Sequence, residues 1–310
     1  MRINFAGLAG FQSPSLLLPP GMDHQGFIIR PPSEADSILL QVTLGCSHNR
    51  CAFCGAYQDK PFGIKDEKTV RRDIGFAAEH CSRQRRLFLC DGNALVLPQY
   101  RLLSLLADIR SELPWVTRVG SYARASDVTR KSDADLAELR AAGLGIVYMG
   151  LESGDDAVLA DMNKAETSAE IVEQGRRVRE AGIKLNVTVI NGLAGASRSL
   201  GHARATARAL NAMQPDQIGA LSLMLVPGTP LHSRWERGDF TLPDTLGILR
   251  ELRELLAGLD LKRALFLANH ASNYLPLKVR LPSGKETALS ELDRAIAGLT
   301  PLRPESLRRL

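Results

Sequence analysis

An α/β fold with a parallel sheet is what the sequence predicts, and two observations lead to it. Short apolar runs alternate with segments in which apolar residues recur at helical spacing, and Gly-rich or polar turns separate the two. About six such strand-then-helix units follow one another, which favours a parallel (β/α)6-type barrel or partial barrel with right-handed crossovers. A doubly wound open sheet is the alternative, because it too presents polar loops at the carboxyl ends of its strands.

The strands are apolar runs that end at turn residues. They are predicted near 38–44, 87–90, 116–121, 146–151, 185–190 and 218–226. Helix-start signals stand between them: Pro98 suits a first helical turn, and Thr167 with Glu170 has the spacing of a capping box. Because the polar motifs all follow strands, we expect the chemistry at the carboxyl ends of the sheet.

Three parts are expected along the chain. Pro and Gly punctuate residues 1–36, which forbids a long helix and predicts an N-terminal extension. The strand–helix alternation occupies residues 37–235. Residues 236–310 then add a helix that starts near Pro243, a strand near 264–267 and a basic tail.

Composition sets broad limits on function. The net charge of +5 and a pI near 9.0 allow RNA or an acidic substrate as a partner without requiring either. Five cysteines, three of them clustered, favour a reducing cytoplasm over a secreted disulfide-bonded fold. No apolar run approaches the ~18 residues of a membrane span, and the N-terminal apolar stretch is too short and broken for a signal peptide.

Three thiols lie in one short loop, at Cys46, Cys51 and Cys54, directly after the first predicted strand. Thiolates bind soft metals, so a metal or iron–sulfur site is indicated. A structural zinc site needs four ligands, usually in two pairs, and no second pair follows. A four-iron cluster also needs four ligands, so three cysteines leave one iron open to a non-protein group. Unbonded or disulfide-linked thiols are the alternative. Cys81 and Cys90 stand alone and are expected to be buried structural thiols.

With this loop and the aromatic Phe53 before its last cysteine, residues 37–230 resemble the radical S-adenosylmethionine (SAM) enzymes. In that family the open iron binds SAM, and one electron from the cluster cleaves SAM to a 5′-deoxyadenosyl radical. The common spacing is C-x3-C-x2-C, whereas here four residues separate Cys46 from Cys51. The resemblance implies a partial TIM barrel, a [4Fe-4S] cluster on Cys46, Cys51 and Cys54, and bound SAM.

Two strand-end motifs carry the resemblance further. Asp91, Gly92 and Asn93 stand where the family has Gly-Gly-Glu, which holds the SAM amino group. Glu152 lies in Gly-Leu-Glu-Ser-Gly, similar to a motif of the branch with oxygen-independent coproporphyrinogen oxidases and elongator-type enzymes. There the glutamate accepts hydrogen bonds from the ribose hydroxyls. A plain turn and a structural carboxylate are the alternatives.

The resemblance implies further SAM contacts. Lys164, in a Met-Asn-Lys stretch, or Arg177 would pair with the SAM carboxylate, and Gly192 would allow close backbone approach. Phe53 would lie beside the adenine, and Ser121 would join the cofactor site. Loop packing, solvated charges and an ordinary turn are the alternatives. Less specific positions are proposed for the cluster surroundings (His48, Arg50) and for substrate (Tyr122, Arg124, His270, Asn273, Tyr274).

The leading hypothesis is therefore a radical SAM enzyme that removes hydrogen from a small-molecule substrate, with an electron donor such as flavodoxin or ferredoxin. The family also implies that the chain after the sixth strand closes the barrel mouth. The sequence names neither substrate nor catalytic residue. A non-enzymatic iron–sulfur carrier or redox sensor is one alternative, and a zinc-dependent nucleic-acid-binding protein is another.

Overall fold

The structure, a computed structural model, describes residues 21–309. Within them lie ten strands: β1 (Ile38–Gln41), β2 (Thr43–Leu44), β3 (Gly63–Ile64), β4 (Arg86–Cys90), β5 (Arg118–Ala123), β6 (Leu144–Glu152), β7 (Lys184–Asn191), β8 (Gln217–Ser222), β9 (Ala264–Leu267) and β10 (Lys278–Leu281). Ten α-helices alternate with them: α1 (Glu67–His80), α2 (Gln99–Glu112), α3 (Ala125–Thr129), α4 (Asp133–Ala142), α5 (Asp156–Asp161), α6 (Ser168–Glu180), α7 (Ser199–Met213), α8 (Pro230–Glu236), α9 (Thr245–Gly258) and α10 (Lys285–Ile296).

Local sequence signals set several helix starts. The predicted capping box is confirmed before α6, where the Glu170 amide donates to Thr167 Oγ1 at 3.2 Å and the Thr167 amide donates to Glu170 Oε2 at 2.8 Å. Ser132 and Asp135 form the same reciprocal pair before α4. Helix α4 ends at Gly143, whose φ of 116° suits a residue without a Cβ.

Eight strands form one sheet in the order β1-β4-β5-β6-β7-β8-β9-β10, parallel except for the antiparallel β9–β10 pair. This spatial order follows the chain order, whereas a doubly wound sheet reverses its order at a switch point. The parallel partial-barrel prediction is therefore confirmed. The sheet is open, since β1 and β10 are its two edges in the described part of the chain.

Three predicted strands differ from the observed ones. The predicted 38–44 strand is divided into β1 and β2, and β2 pairs with β3 in a separate two-stranded sheet. Strand β5 runs from Arg118 to Ala123, because residues 113–116 first make a turn in which the Val116 amide donates to Leu113 O. Strand β8 ends at Ser222, so residues 223–226 leave the sheet and pack over the cysteine loop. A methyl group at Gly55 would collide there with Val226.

The sheet has two faces. Its outer face packs on the helices and carries the main core, with Leu89, Val147 and Val187 fully buried. Its inner face encloses a space that we call the lumen. Phe88 and Tyr148 belong to a separate cluster there, because alternate residues of a strand point to opposite faces.

The N-terminal segment lies against β1 and the lumen. His24 Nε2 is 2.9 Å from Leu39 O, and the Gln25 amide donates to Gln41 Oε1 at 2.8 Å. Ile28 then packs on the lumen cluster. Residues 1–20 of the expected extension lie outside the described residues, and the three-part division of the chain stays a prediction.

Candidate functional site

The cysteine loop follows β2 and is fixed by backbone hydrogen bonds to two distant segments. The Ala52 amide donates to Met162 O at 2.8 Å, just after α5. Ala52 O accepts from the Leu231 amide at 2.7 Å, in the first turn of α8. The loop is therefore held between the carboxyl ends of β6 and β8, which is where the sequence places the chemistry.

Asn163, of the Met-Asn-Lys stretch, is a second clamp. Its Nδ2 donates to Arg50 O at 2.8 Å, and its carbonyl lies 2.7 Å from His48 Nε2. The residue has a φ of 54°, a left-handed conformation that asparagine tolerates better than most residues. The structure thus gives His48 and Arg50 a role in loop anchoring.

Asn49 lies within the longer first spacing of the loop. This residue has a φ of 45°, and its Nδ2 donates to Tyr57 O at 2.8 Å. Asparagine adopts this conformation more readily than most residues, so it suits a turn between Cys46 and Cys51.

Gly92 brings the end of β4 against the loop. Its amide donates to Gly45 O at 2.9 Å, and a methyl group at this position would collide with Gly45 and Cys46. The glycine is therefore required by close backbone approach. The β4 turn therefore lies against the first cysteine of the loop.

Asp91 is fully buried and accepts several hydrogen bonds at one oxygen. Its Oδ2 receives Gln41 Nε2 at 2.7 Å, Lys60 Nζ at 2.9 Å and the Gly45 amide at 3.2 Å. Its Oδ1 is buried without a partner. A buried carboxylate oxygen without a donor is costly, so it can accept from a cationic or hydroxyl-bearing ligand.

Asn93 links the loop to α3. Its Oδ1 accepts from the Ser47 amide at 3.0 Å, while its Nδ2 donates to Ser47 Oγ at 2.8 Å and to both Asp127 oxygens at 2.9 Å. Burial raises the pKa of Asp127, and hydrogen bonds from Arg124 and Asn93 partly offset this. The side chain of Asn93 is thus committed to positioning the loop.

The three thiols lie within electrostatic reach of one another. Burial raises the pKa of Cys51 to about 12 and also raises that of Cys54, and the charge of Cys46 adds to both shifts. The Cys54 amide donates to Cys51 O at 3.3 Å. Metal binding lowers thiol pKa values, so these thiols would lose their protons on loading.

An ion pair stands beside the thiols. Lys164 Nζ is 3.3 Å from Glu152 Oε1, and both charges influence the Cys51 thiol. Glu152 ends β6 with a φ of 62°, after a bulge in the pairing with β7. Burial raises the pKa of Glu152, and Lys164 acts against that shift. A side chain at Gly150 would collide with the Glu152 carboxylate.

A second pair joins the end of β5 to the same region. Arg124 Nη2 lies 3.2 Å from Glu166 Oε1, which also accepts from the Ser126 amide at 2.9 Å. Glu166 Oε2 is buried without a partner. The charges of Arg124, Lys164 and Glu166 all act on the His48 imidazole, so these residues lie near the cysteine loop.

Four predicted cofactor residues have surroundings of their own. Phe53 packs on a small apolar cluster that includes Met162. Ser121 is fully buried, and its Oγ donates to Tyr122 O. The Gly192 amide donates to Glu251 Oε1 at 2.7 Å, and Arg177 donates to Asp133 and to the carbonyls of Val128 and Lys131. The structure therefore brings together the cysteines, the β4 turn, Glu152 and Lys164, and engages Arg177 and Gly192 elsewhere.

The other predicted substrate positions lie beyond β9 or in the sheet. Asn273 donates to Ala220 O and accepts from Ser222 Oγ, both at 2.9 Å. Tyr274 receives Arg308 Nη1 at 2.7 Å, and Arg308 Nη2 donates to Leu223 O. The C-terminal residues are therefore fastened to the carboxyl end of β8, and closure of the barrel mouth by this part of the chain stays a prediction.

Sequence reasoning missed several residues of this region: Gln41, Lys60, Asp127 and Glu166. The bonds of Gln41 and Lys60 to Asp91 span 50 and 31 residues, and no local pattern signals them. Asp127 had a signal, since it stands at the third helical position of α3. Among residues 21–309, no group of three or more His, Cys, Asp or Glu side chains is arranged to hold a single metal ion.

Comparison with known proteins gives one family match. The model of the radical SAM superfamily matches residues 40–199. No curated protein matches the chain.

Several solved structures share the fold. Methylornithine synthase (PylB) is 15% identical over 72% of this chain, with a TM-score of 0.51. Coproporphyrinogen III oxidase (HemN) from Escherichia coli is 17% identical over 71%, with a TM-score of 0.53. The methyltransferase TsrM from Kitasatospora setae, with cobalamin and a [4Fe-4S] cluster bound, is 17% identical over 86%, with a TM-score of 0.52. The matches cover only 63%, 52% and 54% of those chains. At these identities the likeness concerns the fold alone.

Proposed function

Because the chain belongs to the radical SAM superfamily, a family of enzymes that use a [4Fe-4S] cluster and SAM, we propose that Cys46, Cys51 and Cys54 hold that cluster. When bound, the two cofactors supply a 5′-deoxyadenosyl radical by one-electron cleavage of the SAM sulfonium. The substrate in this proposal is a small molecule that loses a hydrogen atom.

One observation carries the proposal: three thiols on a loop that other strand ends hold in place. Hydrogen bonds with Met162, Asn163 and Leu231 fix residues 48–52. Soft thiolate donors match iron, and three of them leave one iron of four for another ligand. The donor set therefore fits the cluster that the family uses.

The polar atoms around the loop also fit SAM. Asp91 Oδ1 and Glu166 Oε2 are buried acceptors without donors, which suits an ammonium group or a ribose hydroxyl. We assign the ribose hydroxyls to Glu152 and the SAM carboxylate to Lys164. The Lys164 ammonium orients the Glu152 carboxylate through the 3.3 Å contact. In this assignment it pairs with the SAM carboxylate as well.

The remaining assignments have less support. Phe53 beside the adenine and Ser121 in the cofactor site stay predictions. Asn93 has its amide engaged by Ser47 and Asp127, so we propose that it positions the loop.

Location and reductant belong to the same proposal. None of the helices among residues 21–309 is long and apolar enough to cross a membrane. We propose a cytoplasmic enzyme, since clustered thiols persist under reducing conditions. A flavodoxin or a ferredoxin would supply the electron.

The test is anaerobic reconstitution of the full chain with iron and sulfide, followed by SAM and dithionite. Wild-type protein should bind about four irons per chain and release 5′-deoxyadenosine. The C51S variant should lose both properties. The C81S variant is the matched control and should retain both properties, because Cys81 packs in the helix-side core. A fully loaded wild-type protein that releases no 5′-deoxyadenosine would overturn the proposal.

A further inference from the structure

The lumen is accessible to solvent along β7 and β8. On β8, burial alternates strictly along the strand. The lumen-facing residues Gln217, Gly219 and Leu221 are partly accessible, and the helix-facing residues Ile218, Ala220 and Ser222 are buried. Because β8 pairs with a strand on each side, water can reach these residues only from the lumen.

Strand register places two layers of side chains in this part of the lumen. Tyr148, Asn186 and Gln217 stand side by side in one layer. Gly150, Thr188 and Gly219 form the next layer toward the carboxyl ends. Gly219 and Thr188 leave space in this layer, whereas the Glu152 carboxylate fills the position beside Gly150. The space therefore lies beneath the proposed radical site.

Polar atoms border this space. A methyl group at Gly219 would lie 3.7 Å from Asn186 Oδ1 and 3.8 Å from Thr188 Oγ1, so both oxygens flank an open position. Asn186 Nδ2 donates to Gln217 Oε1 at 3.1 Å, which fixes the orientation of the two amides. A pocket lined in this way favours a polar ligand.

Arg30 brings a positive charge next to the lumen cluster. It lies between Ile28, which packs on the lumen cluster, and Ser33, whose Oγ is 2.9 Å from Tyr148 Oη. Burial raises the pKa of Tyr122, and the charge of Arg30 acts in the opposite direction, as expected for a guanidinium within reach of that phenol.

The charge of Arg30 is not balanced by a carboxylate among the described residues. Its one hydrogen bond there is a 3.5 Å contact from Nη1 to Pro31 O. The nearby Glu34 is fully buried, but it already accepts from Arg118, Tyr148 and Ser37. An arginine without a counter-ion favours binding of an anion.

We propose that the substrate is a small anionic molecule, whose carboxylate or phosphate group pairs with Arg30. Its polar remainder hydrogen-bonds to Asn186, Thr188 and Gln217 beneath Glu152. This substrate assignment rests on the proposed function, since it takes the lumen below the cofactor as the substrate site.

The experiment is a calorimetric titration of the anaerobic, SAM-bound holoenzyme with inorganic phosphate and, separately, with acetate at constant ionic strength. At least one anion should bind to a single saturable site. R30Q should weaken that binding at least tenfold, and R30K should weaken it less, since lysine keeps the charge but loses the planar fork. The two anions distinguish a phosphate-bearing substrate from a carboxylate-bearing one.

R280Q is the matched control, because it removes one arginine charge from an exposed position on β10 and should bind the anion as wild type does. Thermal melts show whether R30Q is folded. If it is not, the weaker anion binding expected for R30K becomes the test. Absence of saturable binding of either anion to wild type, or equal binding to R30Q, would overturn the inference. Wild-type 5′-deoxyadenosine release tests the proposed function separately, so the two can fail independently.

Discussion

The two halves of the lumen differ in what fills them. Strands β4, β5 and β6 contribute a close-packed aromatic group, in which the Phe88 ring lies 5.0 Å from Tyr122 and 5.5 Å from Tyr148, both edge-to-face. Strands β7 and β8 contribute amides, a hydroxyl and glycine, and solvent reaches Thr188, Gln217 and Gly219.

Within one sheet, the close-packed half therefore stabilises the fold, and the open half is available for ligand binding. The filled half packs against the N-terminal segment through Ile28. It also includes β4, whose following turn contacts Cys46 at Gly92. The open half contributes little packing but faces the space under Glu152. We therefore expect substitutions in the filled half to change stability and those in the open half to change binding.

The largest effect is expected for Phe88, which is fully buried. F88A should lower the free energy of unfolding by about 3–5 kcal/mol, because it removes an aromatic ring from a packed cluster. In the open half, T188V should change it by less than about 1 kcal/mol. Urea denaturation measures both. Equal losses in the two variants would remove the distinction between the halves.

A pair of lumen-facing glycines sharpens the comparison. G120A should cost about 1–3 kcal/mol, because the new methyl group would lie 3.1 Å from both Ile146 and Phe88. G219A meets nothing closer than 3.7 Å and should be neutral or stabilising by up to about 1 kcal/mol, since alanine has less freedom in the unfolded chain. Chemical denaturation of the two variants side by side is the measurement. A greater loss of unfolding free energy in G219A than in G120A would contradict the assignment of close packing to the β4–β6 half of the lumen.

A smaller effect is expected at Glu34, which anchors the N-terminal segment to the filled half. E34Q removes the charge that pairs with Arg118, whose side chain is 23% exposed and so can recover some hydration. We expect a loss of about 1–2 kcal/mol, below the range for a fully buried pair. The exposed pair of Arg237 and Asp239 offers a control, since D239N should cost less than about 1 kcal/mol.

The smallest effect concerns the loop clamp at Asn163. N163G permits the same left-handed backbone but removes the amide that donates to Arg50 O. The loss should be about 1 kcal/mol, as for one ordinary hydrogen bond, and hydrogen exchange of residues 48–52 should speed up locally. Unchanged exchange there would show that the clamp is not needed.

Local patterns predicted the features that are encoded within a few residues. Alternating apolar runs gave the strand sequence, Thr167 and Glu170 gave a helix start, and the cysteine spacing gave the loop. Strand ends were less well predicted: residues 223–226 are apolar, yet they leave the sheet to cover the cysteine loop.

Contacts between distant residues could not be predicted in this way. Glu34 meets Tyr148 across 114 residues, and Asn93 meets Asp127 across 34. Both are polar side chains whose partners are set by the three-dimensional order of strands. The placement of Arg30 near Tyr122 likewise depends on how the N-terminal segment enters the lumen.

The most direct measurement of the central claim is the electron paramagnetic resonance spectrum of the reduced, reconstituted protein before and after SAM is added. If three thiols hold a cluster and leave one iron for SAM, a four-iron signal should be present and SAM should change it. A protein that binds only zinc, or a four-iron signal that saturating SAM leaves unaltered, would contradict the account.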